Sequence, residues 1–370
     1  MRRLLLYVPL LLITLLFSCK DDNPVIPDNT PVSTGDILDS VIINNLITRI
    51  DNGDYGEIHS LLIYKDDSLV VERYFWGYGR ENLHVCYSVT KSVTSALIGI
   101  AIDKGNLNGV NGKILSFFPE YTNIRAKSEW KSSITLDHVL SMSAGFNWDE
   151  FTFPYTDPRN DITDFINSSD WIKYILDLPV IYEPGTVFTY NSGCSTLLGE
   201  VIYKTTNVKA DQFCETNIFD PLGIVDWQWE RGPNNVINTF GGLRLRPVDM
   251  LKFGRLYLQK GKWNGEQIIS ESWVNYSTAT KINISSNNEY AYQWWRYTNT
   301  GSTGRVLQVN DVFYALGWGG QLVWVVPHLN MVAVTTGANY DDSTVPLNFF
   351  RDYILPAAYN ANSIINTGIK

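Results

Sequence analysis

Strand-forming sequence lies near both ends of this chain and mostly helix-forming sequence lies between. A chain with that order can bury its strands in one sheet only by pairing early strands with late ones around an inserted helical lobe. Two β-rich runs, Ile58 to Tyr64 and Leu69 to Phe75, flank the polar stretch Lys65-Asp66-Asp67-Ser68 and read as a hairpin. Near the other end, Gln321 to Val326, a Pro327-His328-Leu329-Asn330 turn, and Met331 to Thr336 are strand-like again. Residues 88–104 predict a helix, because Val89, Val93, Leu97, Ile100 and Ala101 recur at three- and four-residue spacing before Gly105. Helical pieces broken by long loops fill about 106–245, clearest from Leu136 to Ser143 and from Thr196 to Tyr203, and Val345 to Leu355 reads as a closing helix. The expected class is α+β: an antiparallel sheet built from both chain ends, flanked by helices, with a mostly helical lobe inserted. Neither an internal repeat nor a second linker is visible.

The N-terminus carries an address. Arg2 and Arg3 precede an apolar run from Leu4 to Phe17, short for a membrane span but right for a secretory signal. The run ends in Leu16-Phe17-Ser18-Cys19, which resembles a bacterial lipobox, so residues 1–18 are expected to be a lipoprotein signal peptide and Cys19 the lipidated residue. Lys20-Asp21-Asp22 and a Pro-, Asn-, Thr- and Ser-rich stretch follow, so 19–35 reads as a flexible tether and 36–370 as the folded domain. This predicts a bacterial cell-envelope protein attached to the outer membrane, on its periplasmic or its surface-exposed face. With Cys19 lipidated, Cys86, Cys194 and Cys214 remain; the odd count leaves at least one free thiol, and buried thiols are the expectation over a Cys86–Cys194 disulfide.

The remaining composition excludes more than it assigns. A net charge of −9, from 29 basic and 38 acidic residues, offers no footprint for nucleic acid. His59, His84, His138 and His328 show no metal-ligand spacing. Neither a Gly-x-Ser-x-Gly elbow nor a phosphate-binding loop occurs, and nothing calls for a cofactor.

Serine becomes a nucleophile only with a base in hydrogen-bond reach. Ser88-Val89-Thr90-Lys91 supplies one, since positions three apart share a helix face, and the start of the predicted helix adds a field favourable to an oxyanion and to a low lysine pKa. Ser128-Glu129-Trp130-Lys131 repeats the spacing in a polar segment with no amphipathic helix behind it, and reads as chance. Downstream, Glu183-Pro184-Gly185 introduces Tyr190-Asn191-Ser192 before a helix, and Gly317-Trp318-Gly319-Gly320-Gln321 opens a strand. Tyr121-Thr122-Asn123 and Tyr297-Thr298-Asn299 match the tyrosine pattern but lack the Pro-Gly turn.

The order Ser-x-x-Lys, Tyr-x-Ser, Gly-rich strand, together with Ile134 to Gly145, resembles the β-lactamase-related serine hydrolases of the class C β-lactamase and penicillin-binding-protein type, over about residues 40–355. The resemblance implies Ser88 as nucleophile, Lys91 with Tyr190 as proton carriers, and an oxyanion hole from the backbone N–H groups of Ser88 and Gln321. Ser192 would relay a proton or hold Lys91, while Gly319 and Gly320 would let substrate lie along the strand. Two departures matter. Trp318 stands where a β-lactamase has the Lys of Lys-Thr-Gly, and Ser192 where it has Asn. Both point away from β-lactams and D-Ala-D-Ala peptides and toward a small neutral ester or amide. Tyr292-Gln293-Trp294-Trp295 resembles a pocket-lining segment of the esterase and aminohexanoate-hydrolase branch. The alternatives are a D-amino-acid peptidase or β-lactamase-like activity on cell-wall-type substrates, or a non-catalytic acyl-trapping sensor.

Overall fold

A computed structural model describes residues 34–35, 37–285, 288–297 and 311–367. The signal segment, Cys19, nearly all of the tether and Asn299 lie outside the described residues. Eight strands form one antiparallel sheet: β1 (Ile58–Lys65), β2 (Ser68–Tyr74), β8 (Ile282–Ser285), β9 (Asn288–Tyr290), β10 (Trp295–Tyr297), β11 (Phe313–Gly317), β12 (Gln321–Val326) and β13 (Met331–Gly337). Their order is β2-β1-β13-β12-β11-β10-β9-β8, so the first hairpin joins the sheet through the last strand, with Leu61 opposite Thr335 and Leu62 opposite Val334. The hairpin turns through Asp66 and Asp67, both at positive φ, which suits a two-residue loop between twisted strands.

Every residue of β1 and β12 is buried because helices cover both faces of the sheet. The alternation survives within that burial. Leu61, Ile63, Leu322, Trp324, Met331 and Ala333 pack with the helices Ser40–Asp51 and Leu355–Thr367. Leu62, Val323, Val325, Val332 and Val334 pack on the opposite face, against helices Val89–Asp103 and Pro247–Leu258. Gly254 brings the latter helix close: a Cβ there would fall 2.6 Å from a Val332 methyl.

Several elements differ from expectation. Helix Leu136–Leu140 stops short of Ser143, with Met142 at positive φ. Helix Ser192–Thr206 begins earlier, capped by Asn191, and the C-terminal helix continues past Leu355 through a π-turn at Phe350–Ile354. The lobe also contributes strand: β4 (Gln228–Trp229) and β5 (Leu243–Leu245) form a second sheet with β3 (His84–Val85) in the order β3-β5-β4, and β6 (Lys262–Trp263) and β7 (Glu266–Gln267) form a separate hairpin beyond it. Because β3 runs into Ser88, this small sheet holds the entry to the helix Val89–Asp103.

A buried imidazole pair sits where the two sheets approach. His59 and His84 face each other with Nδ1 atoms 3.5 Å apart, Tyr78 stacks on His59 at 3.7 Å, and His59 Nε2 is 2.9 Å from Glu57. Burial, and then the neighbouring His59, pushes the His84 pKa down from 6.5 to about 4. A base with a folded pKa below its unfolded one binds more protons unfolded, so its neutral form supports the fold above pH 6.5 and that support is lost as pH falls toward 4. The expected loss for this one group is about 2–3 kcal/mol between pH 7 and 4.5. Thermal melts across that range should show it, and His84→Gln should flatten the slope; an unchanged slope would exclude His84 as the cause.

Candidate active site

Strand β3 ends at Val85, and Tyr87 adopts a positive φ of 45° immediately before Ser88. That conformation is costly for a bulky residue and marks a sharp turn into the helix. Ser88 occupies the N-cap but makes no side-chain capping bond. Its hydroxyl instead lies 2.9 Å from Lys91 Nζ, one turn along the helix.

Lys91 is 1% exposed. Nζ is also 3.1 Å from Ser192 Oγ and 2.9 Å from the Phe240 carbonyl, and it sits 4.9 Å from the centre of the Tyr190 ring. Burial lowers its pKa from 10.5 to about 8, opposed by Glu150 and Cys194. Desolvation of the ammonium is therefore the main cause, ahead of any helix field.

Tyr190 immediately precedes Asn191, whose side chain caps the next helix by accepting from Cys194 N. Its ring is stacked between Phe151, at 5.1 Å, and Trp295, at 5.6 Å. Burial raises its phenol pKa well above the ordinary value, Glu150 adds to this, and a hydrogen bond with Ser88 offsets part of it. Ser88, Lys91, Tyr190 and Ser192 thus meet in one place, from segments far apart in sequence.

A residue without any sequence motif joins them. Glu150 is 3% exposed, and its carboxylate accepts from Ser192 Oγ at 2.6 Å, Ser192 N at 2.8 Å, Trp148 Nε1 at 3.0 Å and Tyr155 OH at 3.0 Å. It lies in a loop between helices, where a lone acidic residue carries no periodicity. The one hint was Ser192 itself, a short hydroxyl where the family pattern has an amide.

A cavity of about 530 Å³ opens onto Ser88, Ser192, Glu150, Tyr155, Phe240 and Trp318. Ile162, Ile166 and Trp171 extend its apolar wall, while Arg231, Arg244 and Glu230 stand on another side. Arg244 pairs with Glu230 at 3.0 Å, and Arg231 pairs with Asp211. Trp318 packs against Tyr87, Tyr155 and Tyr340, and its indole N–H donates to the Tyr340 carbonyl at 3.0 Å, so that donor is already engaged.

Gly319, Gly320 and Gln321 do not line the cavity. Gly319 and Gly320 take φ of 82° and 91° in the turn from β11 to β12, so their lack of a Cβ serves the turn. Gln321 is 2% exposed and braces that turn: its Nε2 donates to Gly337 O at 2.6 Å and Trp318 O at 3.2 Å, and its Oε1 accepts from Gly337 N at 3.2 Å. The backbone beside Ser88 belongs to Gly317, where a Cβ would lie 3.3 Å from Ser88 N. Among the described residues, the N–H groups of Ser88 and Trp318 have no acceptor. The backbone of this run that adjoins Ser88 is therefore that of Gly317 and its neighbour Trp318 rather than that of Gln321.

The segment Tyr292 to Trp295 braces the site from behind and does not line the cavity. Ser195 Oγ donates to Gln293 Oε1 and Ser92 Oγ to the Gln293 carbonyl, both at 2.6 Å, tying together the helices that carry Lys91 and follow Tyr190. Cys86, Cys194 and Cys214 are buried free thiols. Ser128 caps the helix Glu129–Ser133, and Lys131 Nζ donates to the carbonyls of Arg125 and Leu176. Burial also lowers the Lys131 pKa to about 8, so a depressed lysine alone does not mark the site. Tyr121 bonds Asp170, away from both lysines.

The β-lactamase family model matches residues 59–339. The chain belongs to the β-lactamase family. Several of its relatives are hydrolases by name. A 6-aminohexanoate-dimer hydrolase of Paenarthrobacter ureafaciens is 22% identical over 311 residues, covering 77% of this chain and 74% of the relative. A putative D-alanyl-D-alanine carboxypeptidase of Salmonella heidelberg is 24% identical, covering 54% of this chain and only half (50%) of the relative's length. Among solved structures, a putative 6-aminohexanoate-dimer hydrolase from Bacillus anthracis superposes with a TM-score of 0.70 at 21% identity, over 85% of this chain and 82% of that one. EstCE1, a hydrolase with promiscuous acyltransferase activity, reaches 0.68 at 16% identity, over 86% and 97%. At these identities the structural likeness establishes the β-lactamase and transpeptidase fold alone; the hydrolase class follows from membership of the family.

Proposed function

We propose that this β-lactamase-family hydrolase acts through an acyl-enzyme on an ester or amide bond of a small neutral substrate, with Ser88 as nucleophile. The observation that carries the reading is Lys91 Nζ, buried and 2.9 Å from Ser88 Oγ, with a pKa near 8. About a tenth of such a lysine is neutral at pH 7, enough to accept the serine proton as the bond to carbon forms. Tyr190 holds its proton across the physiological range, so its role is to pass a proton between Ser88, Lys91 and the leaving group. The N–H groups of Ser88 and Trp318 would serve as the oxyanion donors, Trp318 because it follows Gly317, the residue of the turn that adjoins Ser88 N. Water then attacks the acyl-enzyme with the same groups in reverse.

Cavity chemistry supports a neutral substrate. The Trp318 side chain offers a ring and no free donor, and the two arginines of the cavity are matched by Glu230 and Asp211. A carboxylate-bearing, cell-wall-type substrate is the second reading, favoured by Arg244, a cation on the cavity wall whose pairing with the half-exposed Glu230 is open to solvent. For location, we propose the envelope attachment through Cys19 that the N-terminal sequence implies.

A fluorophosphonate probe should label Ser88, located by peptide mass spectrometry, and p-nitrophenyl esters should turn over faster than D-amino-acid amides or nitrocefin. Labelling without any turnover would favour the acyl-trapping alternative. Nitrocefin hydrolysis matching the best ester would restore a β-lactamase-like role. Absence of label would remove Ser88 as nucleophile.

A further inference from the structure

We propose that Glu150 is a positioning residue that sets the charge state of Lys91 through the hydroxyl of Ser192. The inference rests on the reading of Lys91 as base and goes one layer deeper. Four donors and no acceptor converge on the Glu150 carboxylate, an arrangement that suits the anion. One of them, Ser192 Oγ, has its proton committed to Glu150 at 2.6 Å, which leaves its lone pairs toward Lys91 Nζ at 3.1 Å. The hydroxyl is thereby fixed as an acceptor from the lysine. An anion two hydrogen bonds from a buried ammonium stabilises the charged lysine, against the burial that discharges it. Glu150 and burial together hold Lys91 between the two states.

The rest of the surroundings agrees with this division. Lys91 also faces the Ser88 hydroxyl, the Phe240 carbonyl and ring, the Tyr190 ring and the buried Cys194 thiol. Glu150 faces Tyr155, Tyr190, Tyr290 and Cys194, whose ionisation it opposes in each case. Among the described residues, Glu150 is therefore the one carboxylate that acts on Lys91. The loop that carries it is tied down on both sides. Asp149 accepts from the N–H groups of Phe151 and Thr152, and Asn160 Nδ2 donates to the carbonyls of Glu150 and Phe153. These bonds hold the carboxylate at a fixed distance from Ser192. Both Glu150 and Ser192 also border the cavity, so the relay is in contact with the space a substrate would enter.

A merely structural carboxylate would change stability and leave the pH profile of kcat/KM where it was. Glu150→Gln keeps the shape and removes the charge. The acid limb, set by deprotonation of Lys91 near pH 8, should move about one to two pH units lower. Glu150→Asp, which keeps the charge, should hold the limb closer to wild type. An unmoved limb in a folded Glu150→Gln enzyme overturns the proposal. If that variant does not fold, Ser192→Ala carries the test, because it removes the bridging hydroxyl; its limb should also move lower, and an unmoved limb is again fatal. Titration of Lys91 by NMR in a Ser88→Ala background separates this proposal from the catalytic reading. There the lysine pKa should fall on Glu150→Gln whether or not Ser88 proves to be the nucleophile.

Discussion

Ser88→Ala is expected to lower kcat/KM by at least about a thousandfold, because the acyl-enzyme forms on the oxygen that is removed. The same change should barely alter the melting temperature. An N-cap serine normally contributes about 1 kcal/mol through its side-chain bond to the helix, but Ser88 makes no such bond. Its backbone, at φ −67° and ψ −7°, is equally accessible to alanine. Lys91 keeps Ser192 and the Phe240 carbonyl as acceptors, so the buried cation is not orphaned. Steady-state rates with a p-nitrophenyl ester and a thermal melt decide the matter together. A folded Ser88→Ala protein that retains most of its activity would move the chemistry to another nucleophile.

That separation of activity from stability reflects how the site was legible in sequence. Periodicity identified the helix after Ser88, and a three-residue spacing put Lys91 on the same face. Both are local features, and the structure places the two polar atoms 2.9 Å apart. Alternation within the end segments likewise identified the strands, and β1 does pair with β13. Other parts depended on contacts between distant segments. Glu150 acquires its role only because its loop folds over Ser192. Trp295 stacks on Tyr190 only because β10 extends the sheet beneath it. Strands β8, β9 and β10 are short, and two residues separate the described ends of β8 and β9, so no run long enough to show alternation existed there. The small sheet β3-β5-β4 has strands of two and three residues, below the length at which a period can be recognised at all.

The Gly-rich run shows the same limit in a more instructive form. Through the family resemblance, the Gly-rich opening of a strand implies room for substrate at Gly319 and Gly320 and a backbone donor at Gln321. The turn geometry assigns them differently. Gly319 N donates to Ser343 Oγ and Gly320 N to the Gly317 carbonyl, while Thr335 Oγ1 donates to the Gly320 carbonyl. Those groups are consumed by the turn and the segments packed on it. Positive φ at Gly319 and Gly320 is what the sequence was recording. The glycine that faces Ser88 is Gly317, at the end of β11, and its requirement is space for two backbones to approach.

Gly317→Ala should therefore cost far more activity than a comparable clash placed away from the site. Its Cβ would fall 2.3 Å from the Cys86 carbonyl oxygen, 3.1 Å from Gln321 Cβ and 3.3 Å from Ser88 N. The shortest contact is with backbone, which cannot rotate away, so β11 and the Cys86–Ser88 segment must separate. Ser88 N lies on one side of that contact and Trp318 N on the other, so the distance between the two proposed oxyanion donors changes with it. Displacing one such donor costs about 10²–10³ in kcat, while overpacking of this kind costs about 1–3 kcal/mol of stability. Gly254→Ala is the matched control. It also creates a clash, with side-chain methyls 2.6 Å away on Val332 and 2.8 Å away on Val323, but on the helix that packs against the sheet, outside the cavity lining. It should lower the melting temperature with little change in kcat, whereas Gly317→Ala should lower kcat by about 10²–10³ even where it remains folded. Equal losses of kcat in the two variants would mean that packing strain alone reaches the site, and the assignment of Ser88 and Trp318 as paired donors would fall.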